Sequence, residues 1–187
     1  EGPLQVIATT AEGEQTLQGK RVLLATGSVA IDIPGLPQDG ERVGQARDAL
    51  EYTAVPEHLV VIGGGYIGLE LGMMYSKLGS KVTVLEGTPG ALPGQERDCV
   101  KVIERSLKKM KIKLITETFA QGFEKKGEKY IVKAKTKNGI EEIECDQILS
   151  TVGRRPYSEG LGLENAGLAV TKQGFLEVSK KMRTSVP

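Results

Sequence analysis

The sequence has little of the chemistry that cysteine and histidine provide, with two cysteines and one histidine among 187 residues. Cys99 and Cys145 are far apart and fit no C-x-x-C or metal-ligand spacing, so we expect neither a disulfide nor a metal site, but two small buried or half-buried side chains. His58 has no second histidine or cysteine nearby, and we expect it at the surface. The chain itself therefore offers no catalytic residue and no metal ligands.

The sequence also lacks an excess of charge of either sign. Its 25 basic and 24 acidic residues give a formal net charge of +1, which provides no argument for binding nucleic acid or an anionic membrane. A basic run over residues 101–113 is interpreted as a solvated helix face with cations near the C-terminal end of the helix dipole. No apolar run approaches the length of a transmembrane helix.

The chain shows no targeting segment and no initiator methionine. Its first ten residues have neither a basic region nor an apolar core, so we expect no signal peptide and a reducing compartment, either the cytoplasm or a mitochondrial matrix. Because it ends abruptly at residues 184–187, we expect it to be part of a longer polypeptide. A hydrophobic content of 39% and a charged content of 26% are typical of a globular protein.

The most informative stretch runs from His58 to Glu86. Residues 60–62 form a short apolar run typical of a strand buried on both faces, and Gly63 to Gly68 follow as G-x-G-x-x-G. A helix is predicted next, with apolar positions on one face. It should end at Gly79–Ser80, before a second strand over residues 82–85. The apolar positions of the predicted helix face are Ile67, Leu71, Met74 and Leu78.

Each glycine of this motif has a mechanical role in binding a dinucleotide. Gly63 permits a sharp turn, Gly65 lets the backbone approach a pyrophosphate, and Gly68 lets the helix pack closely on the strand. Glu86 lies 18 positions beyond Gly68, where an acidic side chain binds the adenosine ribose and repels a 2′-phosphate. No arginine follows closely, so the pattern favours NAD over NADP. The alternative is an ordinary β-α-β crossover with a glycine-rich turn and no ligand.

The remaining pattern predicts an α/β fold: a Rossmann-like parallel sheet with a three-stranded antiparallel meander, plus flanking pieces of another domain. Gly63, Glu86, Phe119 and Gly153 should meet at the carboxyl edge of this sheet. A turn is predicted at residues 12–13, a short helical turn at 48–52 and a helix at 96–110. The other predicted strands cover residues 4–10, 15–26, 113–116, 119–123, 129–136, 140–144, 147–152 and 175–178.

With these residues assembled, the whole chain resembles the middle of the pyridine nucleotide-disulfide oxidoreductases, the family that includes glutathione reductase and mercuric reductase. Within it, the chain looks most like the dihydrolipoamide dehydrogenase members, since Glu86 fits an enzyme that uses NAD. The resemblance implies an incomplete FAD-domain segment over residues 1–34, an NAD-binding domain over 35–155 and a returning FAD-domain segment over 156–187. The motifs that carry it, in the family's order, are LLATGS, VVIGGGYIGLELG, Glu86, VGRRP and RTSVP.

The resemblance also implies roles for individual residues. The segment from Gly63 to Glu70 would hold the pyrophosphate and the nicotinamide side of NAD, Glu86 the adenosine ribose, and Gly153 the nicotinamide ribose. Phe119 would lie against the adenine through its backbone. Tyr66 would line the nicotinamide pocket, and Glu70 would pair with a lysine of the flavin domain. The implied cofactor-binding residues are Thr26, Gly27 and Ser28 for FAD, and Gly63, Gly64, Gly65, Tyr66, Ile67, Gly68, Leu69, Glu70, Glu86, Phe119 and Gly153 for NAD.

In such an enzyme, electrons pass from dihydrolipoamide to a cysteine pair, then to FAD and finally to NAD. This chain lacks the FAD glycine motif, the cysteine pair and the C-terminal histidine and glutamate, so we expect it to be inactive alone. The resemblance implies a lipoyl domain or a small disulfide as substrate, a 2-oxo acid dehydrogenase complex as setting, and a homodimer. Alternatives are a non-catalytic dinucleotide-binding module, or a related flavoenzyme of the NADH oxidase, ferredoxin reductase or mercuric reductase type.

Overall fold

The computed structural model describes residues 4–186. Its contacts divide the chain into two compact units, one from Val29 to Arg155 and one that joins the segments before and after it. The first boundary thus falls between Ser28 and Val29, whereas the predicted domain boundary lies between residues 34 and 35. The assignment of the two units to NAD and FAD stays a prediction, and the outermost predicted bounds, at residues 1–3 and 187, lie outside the described residues.

The larger unit holds three helices and most of the strands. The helices are α1 (Ala46–Ala49), α2 (Tyr66–Lys77) and α3 (Arg97–Lys109). The strands of the whole chain are β1 (Leu4–Thr10), β2 (Gly13–Gly19), β3 (Ser28–Ala30), β4 (Val43–Gly44), β5 (His58–Ile62), β6 (Lys81–Leu85), β7 (Lys113–Ile115), β8 (Phe119–Lys126), β9 (Lys129–Thr136), β10 (Gly139–Cys145), β11 (Gln147–Ser150) and β12 (Arg154–Pro156). A 3₁₀ helix covers Leu163–Ala166.

The centre of the larger unit is a five-stranded sheet in the order β4-β11-β5-β6-β7. All its pairings are parallel, and Val61 of β5 lies between Val84 of β6 and Leu149 of β11. Strand β5 is central and buried on both faces, which is why its sequence is a continuous apolar run. The predicted α/β fold class is confirmed, and the carboxyl ends of β5, β6 and β11 share one edge.

Each face of this sheet is covered by a different layer. Val61 and Val84 face the helices, where they pack with Leu69 of α2 and Leu107 of α3. On the other face, an antiparallel meander in the order β10-β9-β8 packs through residues such as Val132. The predicted hairpin at residues 138–139 joins β9 to β10. The two cores clamp the sheet and fix the edge at which its strands end.

The predicted strand over residues 15–26 is only half correct. It ends at Gly19, and residues 21–27 form no strand. Strand β2 pairs only with β1 within the described residues, so the apolar run that follows has no neighbouring strand to complete its hydrogen bonds. Leu23 is consequently 88% exposed. The predicted strand over residues 175–178 is also wrong, because the structure has only an isolated bridge between Val170 and Leu176.

Two helical predictions also need correction. The short helix α1 begins two residues earlier than the predicted turn at 48–52. In α2 the buried face contains Gly68, Leu69, Gly72 and Tyr75, while Leu78 lies beyond the helix and is exposed. A Cβ at Gly72 would contact Val82 at 3.4 Å. The helix therefore packs on the sheet through its glycines, which a count of large apolar residues does not detect.

The two cysteines and the histidine differ in part from expectation. Cys145 is buried as predicted, and burial raises the pKa of its thiol to about 12. Cys99 is exposed on α3, so its predicted burial is wrong. His58 is half-buried and not a surface residue, because β5 is a central strand. Its Nε2 lies 2.9 Å from Thr83 Oγ1, and burial lowers the pKa of its imidazole. No described helix has the length and apolarity needed to cross a membrane.

A charged cluster joins the meander to the amino ends of the parallel strands. The Asp146 carboxylate accepts a hydrogen bond from the His58 backbone N–H at 2.7 Å and another from Lys129. The Lys129 ammonium also donates to Glu57 at 2.9 Å. Asp146 N in turn donates to His58 O at 3.0 Å. Asp146 thus fixes the start of β5 relative to the meander, at the end of the sheet opposite to the glycine turn.

We expect Asp146→Asn to lower the free energy of unfolding by about 1–2 kcal/mol at pH 7, since the amide weakens bonds to a cation and a backbone N–H. Partial burial acts to raise the pKa of Asp146, but the bonds from Lys129 and His58 outweigh it and hold that pKa below the ordinary carboxyl value. The contribution is therefore present above the unfolded-state pKa and lost as the pH falls through the folded-state pKa. Urea unfolding at several pH values tests this, with the exposed Glu141→Gln as control. A deficit that does not shrink in acid would contradict it.

Candidate functional site

The glycine turn after β5 contains one glycine that the fold itself requires. Gly63 has a φ of +104°, a region that residues with a side chain rarely adopt, and its N–H donates to Leu85 O at 2.8 Å. A Cβ there would lie 2.6 Å from Thr151 O. Gly63 therefore makes the sharp turn that the sequence predicts, and it does so against the end of β11.

Gly68 is also required by the fold, for a different reason. A Cβ at this position would lie 2.2 Å from Gly63 O and 2.5 Å from Thr151 Oγ1. Thr151 Oγ1 itself lies 3.0 Å from Ile62 O and 3.2 Å from Gly63 O, so one hydroxyl ties β11 to the turn. Sequence reasoning missed Thr151, although its position directly after a buried strand and close to Gly153 is a usable signal.

Gly65 differs from both of these glycines. It is the N-cap of α2, with an ordinary extended φ of −74°, and no atom lies within 4 Å of the place that its Cβ would occupy. The fold would therefore accept a side chain at this position. The space above Gly65 is open, and it faces a helix N-terminus that has no side-chain cap and no acidic residue in its first turn. Uncapped N–H groups of this kind suit an anion.

Glu86 lies immediately after β6 and is only 6% exposed. Its Oε2 accepts a hydrogen bond from Gly64 N at 2.6 Å, and its Oε1 accepts one from Thr88 N at 2.7 Å. A carboxylate has about four acceptor positions, so two backbone bonds leave capacity for two further donors. The predicted location at the carboxyl end of β6 is confirmed, and the two backbone bonds that hold the carboxylate were not predicted.

The loop after Glu86 is tied to the glycine turn. Leu92 N donates to Gly64 O at 2.8 Å, and Thr88 Oγ1 donates to Gly90 O at 2.8 Å. One cation approaches this loop, since Arg97 Nη1 would lie 2.8 Å from a Cβ at Gly90. Arg97 is held by both carboxylate oxygens of Glu104, at 3.2 and 3.3 Å. Sequence reasoning missed this pair because its members are seven residues apart on α3.

Phe119 lies on the other side of the same loop, as the first residue of β8. Its ring packs on Gly87, where a Cβ would lie only 2.7 Å from Phe119 Cε1. The preceding residue, Thr118, donates its N–H to Glu86 O at 2.9 Å. The structure thus brings the glycine turn, Glu86 and Phe119 together around one edge of the sheet.

The other predicted NAD residues vary in their placement. Tyr66 and Glu70 are exposed on α2, Ile67 is half-buried, and Leu69 is buried in the core. Gly153 has a φ of +129° and its carbonyl accepts the Ile31 N–H at 3.1 Å, which places it on the chain just beyond Thr151. No contact among the described residues joins Gly153 to Glu86 or Phe119. Among the described residues there is also no group of three histidine, cysteine or acidic side chains that could hold a metal.

The predicted flavin turn lies in the smaller unit. Thr26 Oγ1 donates to Tyr157 O at 2.7 Å, and Tyr157 N donates to Gly27 O at 3.0 Å. Gly27 has a φ of +73°, and no atom lies within 4 Å of a Cβ built on it. A cleft of about 180 Å³ lies beside this turn, with Leu24 and Leu163 among its lining residues. The turn is therefore ordered and leaves open space, but only a small part of a large cofactor could be held by it.

The fold and this edge define an α/β nucleotide-binding architecture with an inserted meander. Comparison with known proteins then identifies the family. The family described as pyridine nucleotide-disulphide oxidoreductase matches residues 2–187, which is nearly the whole chain. The chain therefore belongs to this family, and the resemblance inferred from its motifs is confirmed. Membership implies the use of a flavin and a pyridine nucleotide.

Individual relatives support the same placement. The chain is 39% identical over 182 residues to a dihydrolipoyl dehydrogenase of Geobacillus stearothermophilus, covering 97% of this chain and 38% of that protein. LpdA from Mycobacterium tuberculosis superposes with a TM-score of 0.88 at 31% identity, covering 96% of this chain and 39% of LpdA. The HOCl-induced flavoprotein disulfide reductase RclA of Escherichia coli also superposes with a TM-score of 0.88, at 28% identity over 98% of this chain and 41% of RclA. The chain thus spans about two fifths of the length of these relatives.

Proposed function

We propose that the unit from Val29 to Arg155 binds NAD(H), and that it serves as the NAD-binding domain of a longer flavoprotein disulfide oxidoreductase. The observation that carries this proposal is the contrast between Gly65 and its neighbours. Gly63 and Gly68 are required by the turn and the packing, whereas Gly65 has open space beside it. A glycine that the fold does not need, at an uncapped helix N-terminus, is explained by a ligand that approaches the backbone closely.

The charges around the site favour NAD over NADP. The pyrophosphate would lie over Gly65 and the first N–H groups of α2, and the adenosine ribose hydroxyls would donate to Glu86. A 2′-phosphate in that place would meet a carboxylate that two backbone bonds hold in position. The nearby cation, Arg97, is neutralised by its bidentate pair with Glu104. No free cation of the adjoining loop is thus available to compensate for the repulsion.

The remaining predicted residues are assigned by the same proposal. Tyr66 and Glu70, exposed on the first turns of α2, would face the nicotinamide side, and Gly153 would approach the second ribose. Residues 26–28 would contact FAD together with parts of the longer protein. When bound, FAD supplies the redox chemistry that connects a disulfide to the nicotinamide. The residues of this chain bind and orient the nucleotide and exclude nucleotides that carry a 2′-phosphate.

For the longer protein we propose the activity of a dihydrolipoamide dehydrogenase, acting as a homodimer on a lipoyl domain within a 2-oxo acid dehydrogenase complex in a reducing compartment. The support is the dihydrolipoyl dehydrogenase name of relatives that are 37–42% identical. A second candidate is a disulfide reductase with another substrate, which the likeness to RclA favours. An assay of the longer protein with NAD and dihydrolipoamide separates them, since only the first candidate reduces NAD at the expense of dihydrolipoamide.

We expect the 187-residue chain to bind NADH at least 10-fold more tightly than NADPH, because the extra phosphate would be buried beside the Glu86 carboxylate. Isothermal titration calorimetry with each nucleotide measures the two dissociation constants directly. The difference should narrow at high salt, because repulsion between charges is screened. Equal affinity for both nucleotides would contradict the ribose role of Glu86, and failure of both to bind would contradict the proposed function of the chain alone.

A further inference from the structure

Phe119 is a large aromatic residue that the fold leaves largely in solvent. Its side chain is 60% exposed, while the aromatic residues next in the meander, Phe123 and Tyr130, pack edge-to-face at a centroid distance of 5.8 Å. A β8 residue with no need for core packing would ordinarily be polar at this exposure. The contribution of the Phe119 ring to the core is small, so its use has to be sought at the surface where it lies.

The position of the ring is fixed from two sides. On one side it lies on Gly87, where even a methyl group would come within 2.7–3.3 Å of three ring carbons. On the other side its backbone is held by pairing with Lys135 in β9 and by the adjacent Thr118, which is 2% exposed and bonded to Glu86 O. The ring therefore presents a flat apolar face that is already in place before any ligand binds.

We propose that the Phe119 ring is a stacking platform for the adenine of the bound nucleotide, with Gly87 as the seat that sets the position of the ring. This inference rests on the proposed function. If the ribose hydroxyls donate to Glu86, the attached base must lie within a few ångströms of that carboxylate, and Gly87 is the next residue. A purine offers a flat π-face of matching size, and such stacking does not depend on hydrogen bonds to the base. The platform thus confers affinity for the adenine half of the dinucleotide.

The first test measures the affinity of the chain for NADH and for ADP-ribose, which keeps the adenine and lacks the nicotinamide. We expect Phe119→Ala to weaken both by about 10-fold, in the range known for base–aromatic stacking, and Phe119→Leu to weaken both by a smaller factor. Ile140→Ala, which removes an exposed apolar side chain from β10 of the same meander, should leave both affinities unchanged. Equal loss in Phe119→Leu and Phe119→Ala would contradict stacking and leave only general packing.

A second test provides a spectroscopic signature that a structural role would not change. The chain contains no tryptophan, so Phe119→Trp introduces a single indole at the platform. We expect Phe119→Trp to bind ADP-ribose as tightly as the original chain and its fluorescence to be quenched on binding, because the adenine stacks on the indole. Unchanged fluorescence at saturating ADP-ribose, established by calorimetry, would overturn the proposal.

The role of Gly87 is tested with a double-mutant cycle. Gly87→Ala should displace the ring and weaken ADP-ribose binding several-fold, whereas the same change in a Phe119→Leu background should have a smaller effect. Additive effects would mean that Gly87 acts independently of the ring. If the original chain binds ADP-ribose but all Phe119 variants bind equally well, the stacking inference fails and the proposed function stands. If the original chain binds neither nucleotide, both fail.

Discussion

Gly65→Val is expected to reduce the affinity for NADH by at least 100-fold and to leave the chain folded. The Cβ of Gly65 would project into space in which no atom of the protein lies within 4 Å, so a valine there has no protein group to collide with. Valine is a poorer N-cap than glycine, and the free energy of unfolding should fall by about 1 kcal/mol or less. Binding suffers far more, because the isopropyl group would occupy the place of the pyrophosphate and cover the N–H groups of α2.

Gly68→Val provides the matched control for this prediction, since it places the same side chain three residues further along the same helix. A Cβ at Gly68 would lie 2.2 Å from Gly63 O and 3.1 Å from Val61 Cγ1, so the helix would be forced away from β5. We expect this variant to lose several kcal/mol of stability or to fail to fold. Thermal unfolding followed by circular dichroism, with calorimetric titration of NADH for variants that fold, measures both effects. Gly65→Val with normal NADH affinity would mean that the pyrophosphate lies elsewhere.

The elements that the sequence predicts correctly are those whose pattern follows from burial alone. Residues 60–62 and 82–85 are continuous apolar runs because each strand is covered by helices on one face and by the meander on the other. The helix over residues 97–109 is likewise predicted by its apolar spacing, with Val100 and Leu107 buried. These patterns required no knowledge of tertiary contacts.

The predictions that failed depend on partners that a local pattern does not contain. Residues 21–27 have the composition of a strand, but a strand also needs a neighbour, and none is found for them among the described residues. The buried face of α2 was misplaced because Gly68 and Gly72 make its closest approach to the sheet, although glycine scores as neither apolar nor large. His58 was placed at the surface because its neighbours in β6 and β11 are distant in sequence.

The candidate site shows the same division. The glycines and Glu86 are predictable, since their spacing is set by the lengths of one strand, one turn and one helix. Thr151, which ties the turn to β11, and Arg97, which pairs with Glu104 beside the loop, come from other segments of the chain. The contact between Phe119 and Gly87 joins residues from β8 and the loop after β6. Such contacts depend on the packing of the meander and require the three-dimensional structure.

Glu86→Gln is expected to weaken NADH binding by about 10- to 100-fold and to abolish most of the preference over NADPH. The carboxylate accepts N–H groups from Gly64 and Thr88, whereas an amide has one oxygen and would turn its NH₂ group toward one of these donors. The remaining oxygen would then serve both the backbone and the ribose. Loss of hydrogen bonds to a charged acceptor corresponds to about 1.5–3 kcal/mol, which gives the stated range. Glu86→Arg, a more drastic reversal, would place a cation against two backbone N–H donors and so endanger the fold.

The two effects of Glu86→Gln can be separated by measuring stability and selectivity together. One backbone N–H left without an acceptor at a buried position should lower the free energy of unfolding by about 1–3 kcal/mol. Glu124→Gln, the same substitution on β8 at an exposed residue paired with Lys133, controls for the general effect of removing one negative charge. If Glu86 only supports the loop, NADH and NADPH should weaken by equal factors. If it recognises the ribose, NADH should weaken while NADPH holds or improves, because the charge that repels the 2′-phosphate is gone. The ratio of the two dissociation constants, rather than either one alone, therefore decides the role of Glu86.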